Sequence, residues 1–433
     1  MQYAAMPRDA VACRRRRAGG GHRGPLHRTP HLTTELQEVC IPVADLRIGM
    51  FVCRLDRPWE GTPFPLQGVE VLRDSDVAML REWCDQVFVD ARREVGDGPK
   101  LTLKRTQLDS ERFTGSMRYA EPVAFEIELP RAQQALDSAT AMIERMFAEV
   151  RDGRELSAEY VEQTLRPMVA SVLRSPDVFL WVEGLRTHDS YTWKHAISCS
   201  VLAAAFGRHM GFAEDTIMSL AAGGLLMDVG KTRVPEDILQ APRSLDAREM
   251  ALARTHVQHG LEILANSGIT DEDVADIVRT HHERYDGSGY PDRLMGSGLP
   301  LTGRMLGLID AYDAMTSVRP WRAALSRHRV LRQIYAGRNT AFQAELVEQF
   351  QVCLGVYPTG SMVELSTGEI AVVMAQNSVR RLRPKVIILS DADKRPLPDF
   401  KSVDLMQLGD GADIARALVA GDHGFDPAEL FLR

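Results

Sequence analysis

Short runs of alternating apolar and polar residues open the ordered part of the chain: "VCIPVADL" from 39, "MFVCRLD" from 50 and "GVEVL" from 68, separated by the Gly- and Pro-rich "RPWEGTPFPLQG". A period of two with such punctuation predicts β-strands. "DSDVAMLREWC" has a helical period and predicts one helix, capped by Asp74 or Ser75, before "VFVD" returns as a strand. Residues 91–125 are polar and irregular, as a linker is. From about 131 the period changes to 3.6: Leu136, Ala139, Met142, Ile143, Met146, Phe147 and Val150 share one face, and Gly153 ends the run. Helical patterns continue to about 354, among them Leu301 to Met315 and a helix opened by an Asp246/Glu249 capping box. Strands return over 355–390, where "SMVELSTGEIAVVM" is a hairpin turning at Thr367-Gly368 and "PKVIIL" a third strand. The expected architecture is mainly α: a helical bundle between a small β-rich N-terminal domain (38–130) and a short C-terminal β module (355–433). No internal repeat is visible.

Composition narrows this picture. With 433 residues and 45% apolar content, the chain is long enough for two or three domains with large cores. Net charge is −7, which argues against broad binding to a nucleic-acid backbone. The charge is uneven: residues 1–34 hold seven arginines (Arg8, Arg14, Arg15, Arg16, Arg17, Arg23, Arg28) against Asp9 alone, so that segment carries +6 and the remainder −13. Gly-rich and without apolar periodicity, segment 1–37 reads as a disordered tail. A nucleic-acid or anionic-lipid arm is one reading of it and a mistaken start codon the preferred, blander one. No signal-peptide core follows these arginines, no stretch reaches the ~18 apolar residues of a membrane span, and the six cysteines contain no C-x-x-C pair. A reduced, cytoplasmic protein is expected.

Candidate chemistry begins with "GLLMDVGK" at 224–231. It is not a phosphate loop: the spacing between Gly224 and Gly230 is too long, and Leu225 stands where a glycine must let the backbone wrap a phosphate. Asp228 is instead one of several ionisable residues set among helical apolar ones. His195, His256, the pair His281-His282 and Asp310 are the others. Buried imidazoles and carboxylates are costly unless paired or bound to metal, and helical bundles gather such groups at their centres. Each alone is more often a satisfied core residue, a cap or a helix end; the joint pattern carries the signal.

The stretch 185–330 resembles an HD-GYP domain, a branch of the HD phosphohydrolases. "HHERYDGSGYP" is nearly that family's signature, with Gly289, Tyr290 and Pro291 as the GYP. "YTWKH", "DVGK" followed by "VPEDIL", His256, Asp310 and "RPWR" at 319–322 match in order and spacing. Residues 38–130 resemble the uncharacterised domain that often precedes HD-GYP domains, and "VYPTGSMVELSTGEIAVV" the tail of the same architecture. On this basis the chain divides into a tail (1–37), an N-terminal regulatory domain (38–130), connecting helices (131–184), a catalytic domain (185–354) and a C-terminal β module (355–433).

The resemblance implies hydrolysis of the bacterial messenger cyclic di-GMP with two or three bound metals, usually iron or manganese. Carried over by position, the implied ligands are His195, Asp228, His256, His281, His282 and Asp310, with Asp228 bridging two metals. Two metals ~3.5–4 Å apart clamp the attacking and leaving oxygens of an in-line displacement and activate water. Lys231 would give a phosphate a point charge, and Arg319 and Arg322 would grip it as forks. Tyr290 or Trp321 would stack on guanine, although core packing suits Trp321 as well. Two positions depart from the pattern. The His of the His-Asp pair is Met227, a poor partner for hard cations, so one site should be weak. Tyr191 replaces the Glu associated with a third metal, so two metals are expected. The implied activity is a phosphodiesterase giving pGpG and/or GMP. The alternative is a degenerate receptor, or an adaptor for diguanylate cyclase (GGDEF) proteins, without turnover. An HD hydrolase for another nucleotide ranks third because the GYP block is intact.

Overall fold

The computed structural model describes residues 38–55, 69–71, 73–94, 114–120, 123–185, 191–318, 324–377, 381–408 and 411–431; the arginine-rich segment 1–37 lies outside them. Contacts divide the chain into two compact units, Met1–Leu108 and Asp109–Arg433.

In the first unit, β1 (Glu38–Pro42), β2 (Met50–Leu55), β3 (Val69–Glu70) and β4 (Gln86–Glu94) form an antiparallel sheet in the order β1-β4-β2-β3. Helix α1 (Asp74–Trp83) precedes β4. It buries Val77 and Leu80 in one cluster with Val52, Leu55, Val87 and Val89. The cap differs from expectation. Arg73 is the cap residue, and its N–H donates to the Asp76 carboxylate at 2.9 Å, so Asp74 and Ser75 fall inside the first turn.

The second unit is helical: α2 (Phe125–Arg151), α3 (Ala158–Arg174), α4 (Pro176–Leu185), α5 (Tyr191–His209), α6 (Glu214–Leu226), α7 (Glu236–Leu239), α8 (Ala247–Arg254), α9 (His256–Asn266), α10 (Glu272–Thr280), α11 (Leu301–Thr316), α12 (Arg327–Ala336) and α13 (Ala344–Leu354). The apolar face read from 136 to 150 is the buried face of α2, and Gly153 follows its end at φ 81°. The helix starts before the expected 131 and carries Pro130 inside it. Tertiary contacts hold that first turn. Buried Glu128 accepts hydrogen bonds from Ser171 (2.8 Å) and from Arg174 (2.6 and 2.9 Å), and Phe125 meets Trp181 edge-on. The Asp246/Glu249 capping box is present at α8. Helices α5 and α11 run through the centre: residues 195–207 and 305–313 are buried without a break. A helix apolar all round belongs at the core of a bundle, and these two helices carry His195 and Asp310.

The chain ends in β5 (Met362–Leu365), β6 (Ile370–Ala375), β7 (Lys385–Ser390), β8 (Pro396–Asp404), β9 (Ile414–Ala417) and the short α14 (Pro427–Phe431). The strands form one antiparallel sheet ordered β8-β7-β6-β5-β9. The Thr367-Gly368 hairpin is there, with Gly368 at φ 102°. Strand β6 is buried on both sides. Ile370, Val372 and Met374 enter the same cluster as the helices, while Ala371 and Val373 face a second cluster with Val363, Val386 and Leu405. Polar contacts add to the seam: the Asp177 carboxylate of α4 accepts from the Thr359 hydroxyl (2.8 Å) and the Gln376 N–H (3.0 Å).

Candidate metal centre

Five helix-linked positions deliver the ionisable residues to one place. His195 projects from α5. Asp228 follows directly on α6, at φ −104° and ψ 7°, and opens a tight turn over Val229–Arg233. Gly230 allows that turn to lie against α9: a Cβ there would come within 1.9 Å of the His256 carbonyl. His256 begins α9, His281 caps the end of α10 with His282 next, and Asp310 lies on α11.

The two oxygens of Asp228 face two groups of partners. Oδ1 lies 3.4 Å from His256 Nε2 and 3.7 Å from His281 Nε2. Oδ2 lies 3.4 Å from His195 Nε2 and 2.5 Å from Lys231 Nζ. His195 Nε2 is also 3.3 Å from Asp310 Oδ1, and the other oxygen of Asp310 is 3.6 Å from His282 Nδ1. The residues read from the sequence as ligands therefore converge.

The ring tautomers follow from their neighbours. A carbonyl only accepts, so His256 Nδ1–H donates to the Ala253 carbonyl (2.8 Å) and His281 Nδ1–H to those of Ile277 and Val278 (3.1 Å each). His195 Nδ1–H donates to the Asp313 carboxylate at 2.7 Å. Each ring thus turns an Nε2 lone pair inward. Those of His256 and His281 face one another at 3.4 Å, beside a carboxylate oxygen, Asp228 Oδ1, that has no hydrogen-bond partner although buried. Lone pairs and carboxylates repel in that arrangement, and a cation between them relieves it. Buried His282 Nδ1 is likewise unpartnered. Asp228, His256, His281 and His282 each bring a ligand atom to within 4.8 Å of the others.

Charge states suit the same use. Burial alone would raise the Asp228 carboxyl, but the ammonium of Lys231 beside it outweighs burial and holds it well below the usual range. Burial works against Asp310 too, but the imidazoles of His195 and His282 beside it outweigh burial, so this carboxyl is also lowered. Burial lowers His256 to about 4 and His282 well below an ordinary imidazole, which leaves both neutral and ready to ligate near pH 7.

Three further residues shape the site without having been singled out in the sequence. Asp313 orients His195; its spacing of three from Asp310 on one helix, which puts both carboxylates on one face, was the available signal. Cys199, one turn beyond His195, places its sulfur 3.7 Å from Nδ1. Glu283 is buried, and its Oε1 accepts the N–H groups of Asp292 (2.6 Å) and Arg293 (2.9 Å), which ties down the loop carrying Tyr290. Gly289 lets that loop fold back, since a Cβ would come within 2.4 Å of the Glu283 Cα. Tyr290 stacks on His282 with centroids 4.7 Å apart. Met227 caps α6 with its side chain fully buried, in the apolar cluster that also holds Cys199, Met305, Leu306 and Ile309. Arg319, Trp321, Arg322 and the side chain of Tyr191 lie outside the described residues.

Family models match three segments: an HD domain over 184–346, a domain of unknown function over 38–161, and a KOW domain associated with HD domains over 362–417. A cyclic di-GMP phosphodiesterase of Pseudomonas aeruginosa is 32% identical over 394 residues, which is 90% of this chain and 92% of that one. The chain belongs to the HD-GYP family. Further relatives match shorter stretches of the chain. A 3'3'-cGAMP-specific phosphodiesterase of Vibrio cholerae is 35% identical over 38% of this chain and 31% of its own length. A cyclic di-GMP phosphodiesterase response regulator of Xanthomonas campestris is 33% identical over 34% of this chain and 40% of its own. HD domains are metal-dependent phosphohydrolases, and this HD-GYP chain has His and Asp groups suited to holding metal. Among its described residues, no helix is long and apolar enough to cross a membrane.

Proposed function

We propose that this chain is a cytoplasmic phosphodiesterase that opens cyclic di-GMP to pGpG and/or GMP at a centre of two divalent ions, iron or manganese. The observation that carries the reading is the Asp228 carboxylate, whose oxygens point separately to His256 with His281 and to His195. One carboxylate shared by two ligand sets is what a two-metal clamp on a phosphodiester requires. His195, Asp228 and Asp310 would hold one ion; Asp228, His256, His281 and His282 the other. Bound there, divalent ions polarise a phosphoryl oxygen and lower the pKa of water. The remaining work falls to the chain. Asp313 keeps His195 in the tautomer that aims Nε2 inward. Lys231, seated on Asp228, turns its charge to a phosphate oxygen, and Arg319 and Arg322 grip phosphate as forks. Tyr290, braced on His282, forms one wall.

Met227 favours a second reading. A fully buried thioether stands where the family's histidine would ligate, and a chain with one weak site can serve as a cyclic di-GMP receptor or as an adaptor for diguanylate cyclase (GGDEF) proteins. Purified full-length protein, loaded with Mn²⁺ or Fe²⁺, separates the two. Two bound ions per chain and linear product, formed faster from cyclic di-GMP than from 3'3'-cGAMP, are expected. Tight binding without product selects the receptor reading, and neither binding nor product excludes both.

A further inference from the structure

Cations around the "HHERYDGSGYP" block are mostly committed. Arg279 pairs with Asp292 at 2.7 Å, Arg284 donates to the His281 and Glu283 carbonyls, and Lys231 sits on Asp228. Arg254 differs. It closes α8, two residues before His256, and is exposed; among the described residues no carboxylate or carbonyl holds its guanidinium. Its guanidinium lies over the ring of Tyr290, 4.5 Å from the guanidinium carbon to the centroid, and that ring stacks on His282. The order runs outward from the candidate metal centre: imidazole, phenol, guanidinium. A planar guanidinium lying over an aromatic ring is fixed in orientation while its N–H edges stay free to donate.

We infer that Arg254 is a second anchor for the substrate, its fork taking the phosphate of the cyclic dinucleotide that does not lie at the metal centre. The inference rests on the proposed function. A cyclic dinucleotide carries its two phosphates on opposite sides of one macrocycle, so the metal centre can take only one. The other stays anionic and needs a donor some way outward along the wall that Tyr290 forms. An exposed fork with no competing carboxylate fits it, and bidentate N–H donation matches a phosphate. On this assignment Tyr290 is a pedestal for a cation, with its ring already engaged by His282 and Arg254.

The test compares full-length wild type with Arg254→Ala and Arg254→Lys, each loaded with Mn²⁺, by calorimetric titration with bis-phosphorothioate analogues of cyclic di-GMP and cyclic di-AMP and with GMP. Arg254→Ala is expected to weaken both cyclic analogues by about 10-fold or more, the scale of a lost charge-assisted hydrogen bond. GMP, which offers a single phosphate, should change by less than about 2-fold on the same scale. Arg254→Lys should recover part of the loss, keeping the charge without the fork. Metal content and melting temperature should match wild type, because the side chain is exposed. Unchanged affinity for the cyclic analogues in a wild type that binds them overturns the Arg254 assignment alone. Loss confined to the guanine analogue also overturns it, in favour of base recognition. A wild type that binds neither cyclic analogue overturns the functional reading, and this one with it.

Discussion

At the scale of single residues, the site depends on atoms that point at one another without a proton between them. Asp228 is the sharpest case, since one of its oxygens faces His256 and His281 while the other faces His195 and Lys231. Asp228→Ala is expected to abolish metal uptake, read as ions per chain after gel filtration; two retained ions would remove the basis of the proposed centre. Asp313→Asn keeps the volume but replaces a charged acceptor for His195 Nδ1–H with a weaker one. Metal affinity, measured by chelator competition, should fall by roughly 10-fold, at the mild end of the effect of losing a ligand's supporting partner. Met227 sits in apolar packing with Cys199 and Ile309, so Met227→His has two opposed effects. In metal-free protein it buries an unpartnered imidazole, at a cost of about 1–3 kcal/mol. With metal present it adds a ligand. The variant should therefore melt below wild type without metal, recover when loaded, and bind its weaker ion more tightly. Equal occupancy in both proteins would mean that Met227 costs the site nothing.

At the scale of elements, local chemistry was legible where it is local. The Asp246 capping box, the Gly153 stop and the Thr367-Gly368 turn each depend on neighbours in sequence, and each appears in the structure. The convergence of the candidate ligands was legible too, because the "HHERYDGSGYP" run is contiguous and the rest are isolated ionisable residues in apolar helices. What could not be read depends on distant partners. Strand β8 is exposed along most of its length and begins at Pro396; it is a strand because it pairs with β7. The early start of α2 past Pro130 depends on Glu128 meeting Arg174, far away in sequence. Its carboxyl is pushed upward by burial and more strongly downward by the hydrogen bonds of Arg174 and Ser171, so it titrates below 4.5. A lowered folded pKa means that the stabilisation is fully present above the unfolded value and is lost as pH falls through the folded one. Glu128→Gln should cost about 1–3 kcal/mol near neutrality, and its melting temperature should converge with that of wild type on acidification below pH 4.5. A constant difference across that range would show that charge is not what anchors the turn.

At the scale of the whole molecule, "C-terminal β module" describes the chain order better than the packing. The sheet sends Ile370, Val372 and Met374 into the helical cluster and hangs on Asp177. Deleting residues 356–433 should strip that cluster of large side chains worth roughly 2–5 kcal/mol each, and the shortened chain should aggregate or melt far below the full one. A truncated protein with unchanged melting temperature and metal uptake would make the sheet an appendage. Strand β6, apolar on both faces, has a further consequence for heredity. A strand shared by two cores cannot drift on either side without the other registering it, so this sheet is not an exchangeable cassette. A lesion at Val372, distant in sequence from every ligand, would leave each folded molecule with normal chemistry and simply leave fewer of them, lowering the active fraction while the turnover of each survivor stays the same.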